Sequence, residues 1–465
     1  MKTLPKIRSL RRCLALALVS AGASYGQPDQ IEQRALGYLV ALLKLDTSNP
    51  PGNETRVARY LKSICDKEGL GGELLGPEPD RLNFLTRLRG SGSARPLLLM
   101  AHSDVVPVEP SHWTVAPFAG VIRDGHVWGR GAQDTKALLA AELAVMVELK
   151  RSAAPLKRDV IFLSEADEEA GSTGIQWLVA NAWEKMNAEF AINEGGFAHL
   201  LGPGKIIFNI QTSEKIPTRV KLVARGTAGH GSRPREDNAV TRLAQAIVKL
   251  AASEQPIRLS STTREYLREI AKLPEYAKIS PALAQLENDG QAAAARRQIA
   301  RQNPTLAAML STSVSPTMLQ AGVKINIIPT VAEAGVDVRR LPEETREEVI
   351  ERIRKIINDP AVEVVGAGGQ EMPATEPSSR TSALYLAMEQ LLRAERDALA
   401  VMPNMSLGAT DGSYLRARGM GVYGIPLFPT PQAERRSHGN DERMSLESFS
   451  RGVRLLREVV RKVAE

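Results

Sequence analysis

Residues 97–107, LLLMAHSDVVP, give the clearest indication of the fold and include the first candidate functional residue. The five apolar residues at the start of this stretch run without interruption into His102, a pattern typical of a strand that is buried on both faces. Similar runs alternate with helical patterns downstream: VIFLS at 160–164 and FAIN at 190–193, with helices predicted at 135–151 and 172–185. Strands that alternate with helices predict a mostly parallel sheet with helices on both faces, which is an α/β fold.

A second pattern begins near residue 214. Its segments are a strand at 219–226, a helix at 237–253, strands at 323–329 and 332–339, a helix at 343–358 and a strand at 362–365. We expect the two middle strands, VKINIIP and AEAGVDVR, to pair in antiparallel fashion. This β-α-β-β-α-β order predicts a ferredoxin-like α+β domain that interrupts the α/β domain. A long, charged, alanine-rich helical region at 255–310 lies within it.

The N-terminus has the features of an export signal. Five basic residues and no acidic residue come first, followed by the short apolar run 13–23 and small residues up to Gly26. The run is shorter than the roughly 20 apolar residues that span a bilayer. We therefore predict a signal peptide at 1–26 and a periplasmic or extracellular mature protein; the alternative is a retained anchor.

Charge and cysteine content narrow the function classes. The formal net charge is +7, and loss of residues 1–26 removes five positive charges, so that seven minus five leaves +2. This near-neutral balance gives no electrostatic reason to expect nucleic acid or a membrane surface as a partner. Only Cys65 remains after cleavage, so any metal site has to use histidines and carboxylates.

Five short motifs bring such residues to strand ends and turns. His102 is followed by Asp104, which can orient a metal-bound imidazole, although the two residues could equally form a plain hydrogen-bonded pair. Asp134 in GRGAQDTK stands at a helix start, where an ordinary N-cap is the alternative. The remaining motifs are FLSEADEEAGSTG at 162–174, with Glu165, Asp167, Glu168 and Glu169, FAINEGG at 190–196, with Glu194, and RRSHGNDER at 435–443, with His438.

These residues are expected to converge. The carboxyl ends of parallel strands lie at the same edge of a sheet, where ligands of open α/β folds bind. Two histidines and several carboxylates are the nitrogen and oxygen ligands that zinc takes, and two neighbouring metals need a bridging carboxylate. The set therefore predicts a two-metal centre.

The motifs HSDVVP, GRGAQDTK, EADEEAGSTG, NEGG, TAGHGSRP and SHGNDE closely resemble the co-catalytic di-zinc family of aminoacylase, carboxypeptidase S, bacterial glutamate carboxypeptidase and succinyl-diaminopimelate desuccinylase. The match covers nearly all of the mature chain in the family's order. It implies two Zn²⁺ ions, with Co²⁺ or Mn²⁺ as alternatives, bridged by Asp134. His102 and Glu194 would complete one metal site and Glu169 and His438 the other, with Glu168 as general base and Asp104 orienting His102.

The resemblance also implies a domain plan. The catalytic domain would comprise 27–213 and 371–465, and the inserted lid or dimerisation domain 214–370. His230, in RGTAGHGSRP, would stabilise the oxyanion, often by reaching into the other subunit of a dimer, although a lone histidine is commonly structural.

Substrate contacts are implied for four further residues. Asn326 and Arg339 resemble the family's substrate-carboxylate contacts, and Arg339 could equally be a strand-end surface arginine. Gly408 and Thr410 in SLGATDGSY resemble the family's substrate loop, in which Ala409 replaces the usual second glycine.

The predicted function is hydrolysis of the amide bond of N-acyl amino acids or of the C-terminal residue of peptides. A glutamate at position 194 goes with acylases and carboxypeptidases in the resembled family. The expected partners are a small-molecule or short-peptide substrate with a free carboxylate and a second copy of the chain, bound through the inserted domain. The alternatives are a metal-dependent dipeptidase or aminopeptidase of the same fold, and a catalytically inactive binding protein.

Overall fold

A computed structural model describes residues 30–288, 290–368 and 371–465. In this part of the chain the helices are α1 Gln30–Leu43, α2 Thr55–Lys67, α3 Lys136–Ser152, α4 Thr173–Asn181, α5 Trp183–Met186, α6 Ala239–Ala252, α7 Ser261–Ile270, α8 Ser280–Ala284, α9 Ala292–Gln302, α10 Pro304–Ala308, α11 Arg346–Ile357, α12 Ala383–Ala394, α13 Gly412–Arg416 and α14 Leu446–Ala464. The strands are β1 Glu73–Leu75, β2 Asn83–Leu88, β3 Leu97–His102, β4 Val121–Arg123, β5 His126–Trp128, β6 Val160–Glu165, β7 Phe190–Asn193, β8 Phe197–Gly202, β9 Lys205–Glu214, β10 Ile216–Arg225, β11 Gly229–His230, β12 Ser313–Ala321, β13 Ile327–Ile328, β14 Val331–Arg340, β15 Val362–Gly366, β16 Ala398–Ser406, β17 Gly421–Gly424 and β18 Arg443–Ser445. The predicted signal peptide lies outside the described residues.

The predicted α/β fold is confirmed by a large, mostly parallel sheet. Its strand order is β1-β2-β6-β3-β7-β17-β9-β16, and β8 pairs with β9. The four central strands β6, β3, β7 and β17 are parallel to one another, and β16 is parallel to β9. The pairs β2/β6 and β17/β9 are antiparallel. The three apolar runs recognised in the sequence form β3, β6 and β7.

The uninterrupted apolar run of β3 follows from burial on both faces of this sheet. Leu97, Leu99 and Ala101 belong to the core that contains α1, α3 and α14. Leu98 and Met100 point the other way, into the core formed with α4 and α13. Because side chains alternate along a strand, covering both faces requires apolar residues at every position.

The inserted sheet has the predicted ferredoxin-like topology with one strand in a different place. Its order, β12-β14-β10-β15, is antiparallel throughout, and α6 and α11 cover one face. The prediction that 323–329 pairs with 332–339 is wrong, because the partner of β14 is β12 at 313–321.

The error has a physical cause. The alternating segment VKINIIP looks like a strand with one buried face, yet Val323 and Ile325 are 96% and 101% exposed. In this segment only Ile327 and Ile328 form a strand, β13, which pairs with β11. The strand that does pair, β12, was overlooked because it contains Pro316, a residue that argues against a strand; the register shifts next to it.

The helical region 255–310 packs against the large sheet. Tyr266, Leu267 and Ile270 of α7 are buried in one apolar cluster with Met402 and Met405 of β16. The helices thus cover the outermost strand of the large sheet and lie away from the core of the inserted sheet. The domain boundaries at residues 214 and 370 stay a prediction. Among the described residues, no helix combines the length and apolarity that a membrane span requires.

Candidate metal centre

Neighbouring strands place the predicted ligands at one edge of the large sheet. His102 is the last residue of β3, and Glu194 directly follows β7, which is parallel to β3. Glu168 and Glu169 lie in the turn after β6, the neighbour of β3 on its other side. Asp134 arrives from the glycine-rich turn before α3, and His438 comes from the loop before β18.

Asp134 lies between the two histidines. Its Oδ1 is 3.2 Å from Nε2 of His102, and its Oδ2 is 3.1 Å from Nε2 of His438. Nε2 of His102 is also 3.5 Å from Oε2 of Glu194, and Nε2 of His438 is 3.2 Å from Oε2 of Glu169. Each imidazole therefore faces one oxygen of the shared aspartate and one glutamate, as two metals bridged by Asp134 require.

Two overlapping groups have ligand atoms within 4.8 Å of one another: His102, Asp134 and Glu169, and His102, Glu168 and Glu194. The structure thus brings together all five predicted ligands and Glu168. Their individual roles stay predictions.

The charge balance of this cluster fits cations. Burial, and then the repulsion between Glu168 and Glu194, raise the pKa of Glu168 well above its usual range. Burial alone would lower the pKa of His102, but the carboxylates of Glu194, Asp104 and Asp134 raise it well above its usual range. Oε1 of Glu169 is buried and accepts no hydrogen bond from the described residues. Buried, crowded acids with imidazoles among them suit a pair of divalent ions that take nitrogen and oxygen ligands.

Asp104 contacts His102 from behind, as predicted. Nδ1 of His102 lies 3.0 Å from the backbone oxygen of Asp104 and 3.4 Å from its Oδ1. The same carboxylate accepts the backbone N–H groups of Glu168 and Glu169, at 3.2 and 3.1 Å. Burial would raise the pKa of Asp104, but the contact with His102 lowers it below its usual range. Asp104 therefore orients an imidazole and also fixes the turn that carries two of the glutamates.

Asn49 is a site residue that the sequence did not reveal. Its Nδ2 donates to Asp104 at 2.7 Å and to Asp167 at 2.8 Å. Arg81 and Thr173 also donate to Asp167, so this member of the acidic run is committed to a structural network. The only sequence signal near Asn49 was the Asn-Pro-Pro-Gly break, which predicts a loop and nothing more.

Glu442 is the second residue that was missed. It is fully buried and accepts the backbone N–H groups of Gly131, Gln133 and Asp134, as well as Nη1 of Arg130 at 2.7 Å. Because Glu442 lies four residues after His438, it ties the turn that delivers Asp134 to the loop that delivers His438. The signal available in the sequence was the second of two adjacent acids in the last motif, SHGNDE.

The centre opens into a cleft of about 940 Å³ between the two sheets. Arg339 and Asp337 of β14 line it, and Nε of Arg339 donates to Asp337 at 3.0 Å. Gly408 and Thr410 also line it. Three of the four predicted substrate contacts therefore face the same space as the metal centre.

His230 and Asn326 lie elsewhere. They belong to the segments joined by the small β11–β13 sheet, in which the N–H of Gly231 donates to the oxygen of Asn326 at 2.9 Å. Both side chains are exposed, and neither lines the cleft. The fold of one chain does not bring them to the metal centre, and their roles stay predictions.

Two imidazoles and four carboxylates at the carboxyl edge of a parallel sheet, facing a wide cleft, define a metallohydrolase centre. The chain itself belongs to the peptidase family M20/M25/M40, whose model matches residues 98–462.

Individual relatives agree with this assignment. The human N-fatty-acyl-amino acid synthase/hydrolase PM20D1 is 30% identical over 390 residues, which cover 82% of this chain and 77% of that protein. The probable carboxypeptidase S-like 2 of Dictyostelium discoideum is 27% identical over 373 residues, which cover 78% and 70%. Among solved structures, the M20 family metallo-carboxypeptidase Sso-CP2 from Sulfolobus solfataricus shares the fold, with a TM-score of 0.69 at 22% identity over 92% of this chain and 98% of that one. The protein is thus a metal-dependent hydrolase of the carboxypeptidase or aminoacylase type.

Proposed function

We propose that the protein is a two-metal amidohydrolase that cleaves N-acyl amino acids or removes the C-terminal residue of peptides. The observation that carries the proposal is the position of the Asp134 carboxylate between His102 and His438, with Glu168 beside it in the cleft. The names of the relatives support this substrate range, since they include a fatty-acyl-amino acid hydrolase and a carboxypeptidase.

Five side chains would hold the metals, which we propose to be zinc. His102, Glu194 and one oxygen of Asp134 would bind one ion, and His438, Glu169 and the other oxygen the second. Bound there, the ions would lower the pKa of a water molecule and polarise the scissile carbonyl.

Glu168 would move the proton. Its backbone is fixed by Asp104, so its carboxylate is held beside the ligand Glu169 without having to be a ligand itself. Burial raises the pKa of Glu168, which suits a group that takes a proton from water and then gives it to the leaving amine. No serine or cysteine nucleophile is needed.

The carboxylate end of the substrate would lie against the inserted sheet. Nε of Arg339 is engaged by Asp337, which leaves the two terminal nitrogens for a carboxylate. Gly408 and Ala409 line the same cleft.

A homodimer would explain the position of His230. Met318, Leu319, Val323 and Ile325 lie on the outer strand β12 and the following hairpin, and each is at least 67% exposed. An exposed apolar strand edge next to an exposed histidine fits an interface through which His230 reaches the centre of the partner subunit.

We also propose that the mature protein acts outside the cytoplasm. The basic start and short apolar run of residues 1–26 support export. N-terminal sequencing of protein recovered from the periplasm or medium tests it, and a start before residue 20 in secreted material would contradict cleavage in this region.

The substrate proposal is tested with a panel of matched compounds. Purified protein is incubated with N-acetyl and N-acyl amino acids, with the same compounds as carboxamides, and with free dipeptides, and products are identified by mass spectrometry. We expect hydrolysis of the N-acyl amino acids or of peptide C-termini, inhibited by chelators. Cleavage restricted to dipeptides with a free amine would instead establish the dipeptidase alternative.

A further inference from the structure

A buried ion pair lies directly behind the Gly408–Thr410 loop. Glu214 and Arg416 contact each other through their side chains, which are only 4% and 3% exposed. Such a pair is costly to bury, because both ions lose water, and it is maintained only where further hydrogen bonds satisfy them. Here further hydrogen bonds to Glu214 come from Thr410 in the loop.

Glu214 binds the loop at Thr410. Its Oε2 accepts the hydroxyl of Thr410 at 2.8 Å and the backbone N–H of Thr410 at 3.1 Å. Thr410 is only 5% exposed, and its single hydroxyl proton is thereby directed away from the cleft. The N–H of Gly408 donates to Oγ of Ser406 at 3.2 Å, so the backbone donor that the loop can offer a substrate is the N–H of Ala409, whose direction depends on how Thr410 is held.

The position of Glu214 along the chain gives this contact a wider role. Glu214 is the last residue of β9 and lies opposite Ser406, the last residue of β16, in parallel register. From this common edge one strand leads into the inserted sheet, where β10 begins at Ile216, and the other leads into the loop. Arg416 also contacts Thr375, in the segment that returns from the inserted sheet, at 3.3 Å.

We propose that Glu214, supported by Arg416, is a positioning residue that presents the backbone N–H of Ala409 to the substrate carboxylate and sets the loop relative to the inserted sheet. The inference rests on the proposed function, in which this loop binds the carboxylate. Glu214 itself does not line the cleft and acts through Thr410.

The test compares an N-acyl amino acid with its carboxamide, in the wild type and in the double variant Glu214→Gln/Arg416→Met. The double variant removes both charges, so no unpaired ion is left buried. We expect KM for the acid to rise about tenfold to a hundredfold, as for loss of hydrogen bonds to a charged group, with kcat little changed. The amide is expected to change little, so that the preference for the acid is lost.

Two further variants separate positioning from general structure. Thr410→Val removes one donor to Glu214 while keeping the shape, and we expect the same loss of preference in smaller degree. Glu344→Gln is the matched control: Glu344 is also buried, and its side-chain hydrogen-bond and ion-pair partners among the described residues are Thr312, Arg258 and Arg352. None of these belongs to the Gly408–Thr410 loop, and we expect the control to keep the preference. Metal content is measured throughout, because Gln211 also donates to Glu214 and packs against Gly195, next to Glu194.

The outcomes distinguish this inference from the function on which it rests. A wild type that shows no preference for the acid overturns both. A wild type that prefers the acid, with a folded double variant that keeps this preference, overturns the positioning role alone. An equal loss for acid and amide would also contradict it, since that result indicates a merely structural pair.

Discussion

The metal centre and the hairpin that carries His230 differ in how they are completed. Every group at the centre is held from within the chain: Asp104 fixes His102 and the Glu168 turn, and Glu442 fixes the turn of Asp134. The hairpin residues His230 and Asn326 end in exposed side chains outside the cleft. One region is a preorganised site, whereas the other needs a change of position or a second chain before it can contribute.

Loss of the Asp134 carboxylate should have the largest effect. We expect Asp134→Ala to lose metal and all measurable turnover, because this side chain faces both imidazoles. The matched control is Asp167→Asn in the acidic run, where the carboxylate serves Asn49, Arg81 and Thr173. Metal analysis of the folded fraction should show that the control keeps its metal. Metal loss in the control would contradict the assignment of Asp167 to the structural network and not to the metal centre.

Removal of the exposed His230 side chain should lower turnover without changing the metal content. We expect His230→Ala to reduce kcat about 10²–10³-fold, the usual cost of an oxyanion donor. The decisive experiment mixes this variant with an inactive Glu168→Gln variant under conditions that allow subunit exchange. Partial recovery of activity would show that His230 acts in the partner subunit, and full activity of His230→Ala alone would remove it from the mechanism.

Metal uptake should depend on pH. The hydrogen bonds with Asp134 and Glu169 raise the pKa of His438 to about 10 in the metal-free chain, and carboxylates also raise that of His102. The His438 imidazole is therefore protonated at neutral pH and must lose its proton to bind metal, so that metal affinity rises with pH and protons are released on binding. Calorimetry in buffers of different ionisation enthalpy measures the number of protons released; release of none would contradict a protonated His438.

The same contrast explains how much the sequence could predict. His102 ends β3, and Glu169 and Glu194 follow β6 and β7. The ends of neighbouring parallel strands lie close together irrespective of the loops that follow them. Asn49, Glu442 and Glu214 escaped notice because each acts on residues far away in the sequence, largely through backbone donors that no motif records. The mistaken strand at 323–329 had an alternating pattern but no face to bury.

If two metals held by these five side chains act together with Glu168 as the base, the Glu168→Gln variant should lose turnover and keep its metals. Metal content and kcat for an N-acyl amino acid should be measured on the same preparation. We expect the variant to keep about two metal ions per chain while kcat falls about 10²–10⁴-fold. A fully metallated variant that turns over as fast as the wild type would contradict this role of Glu168.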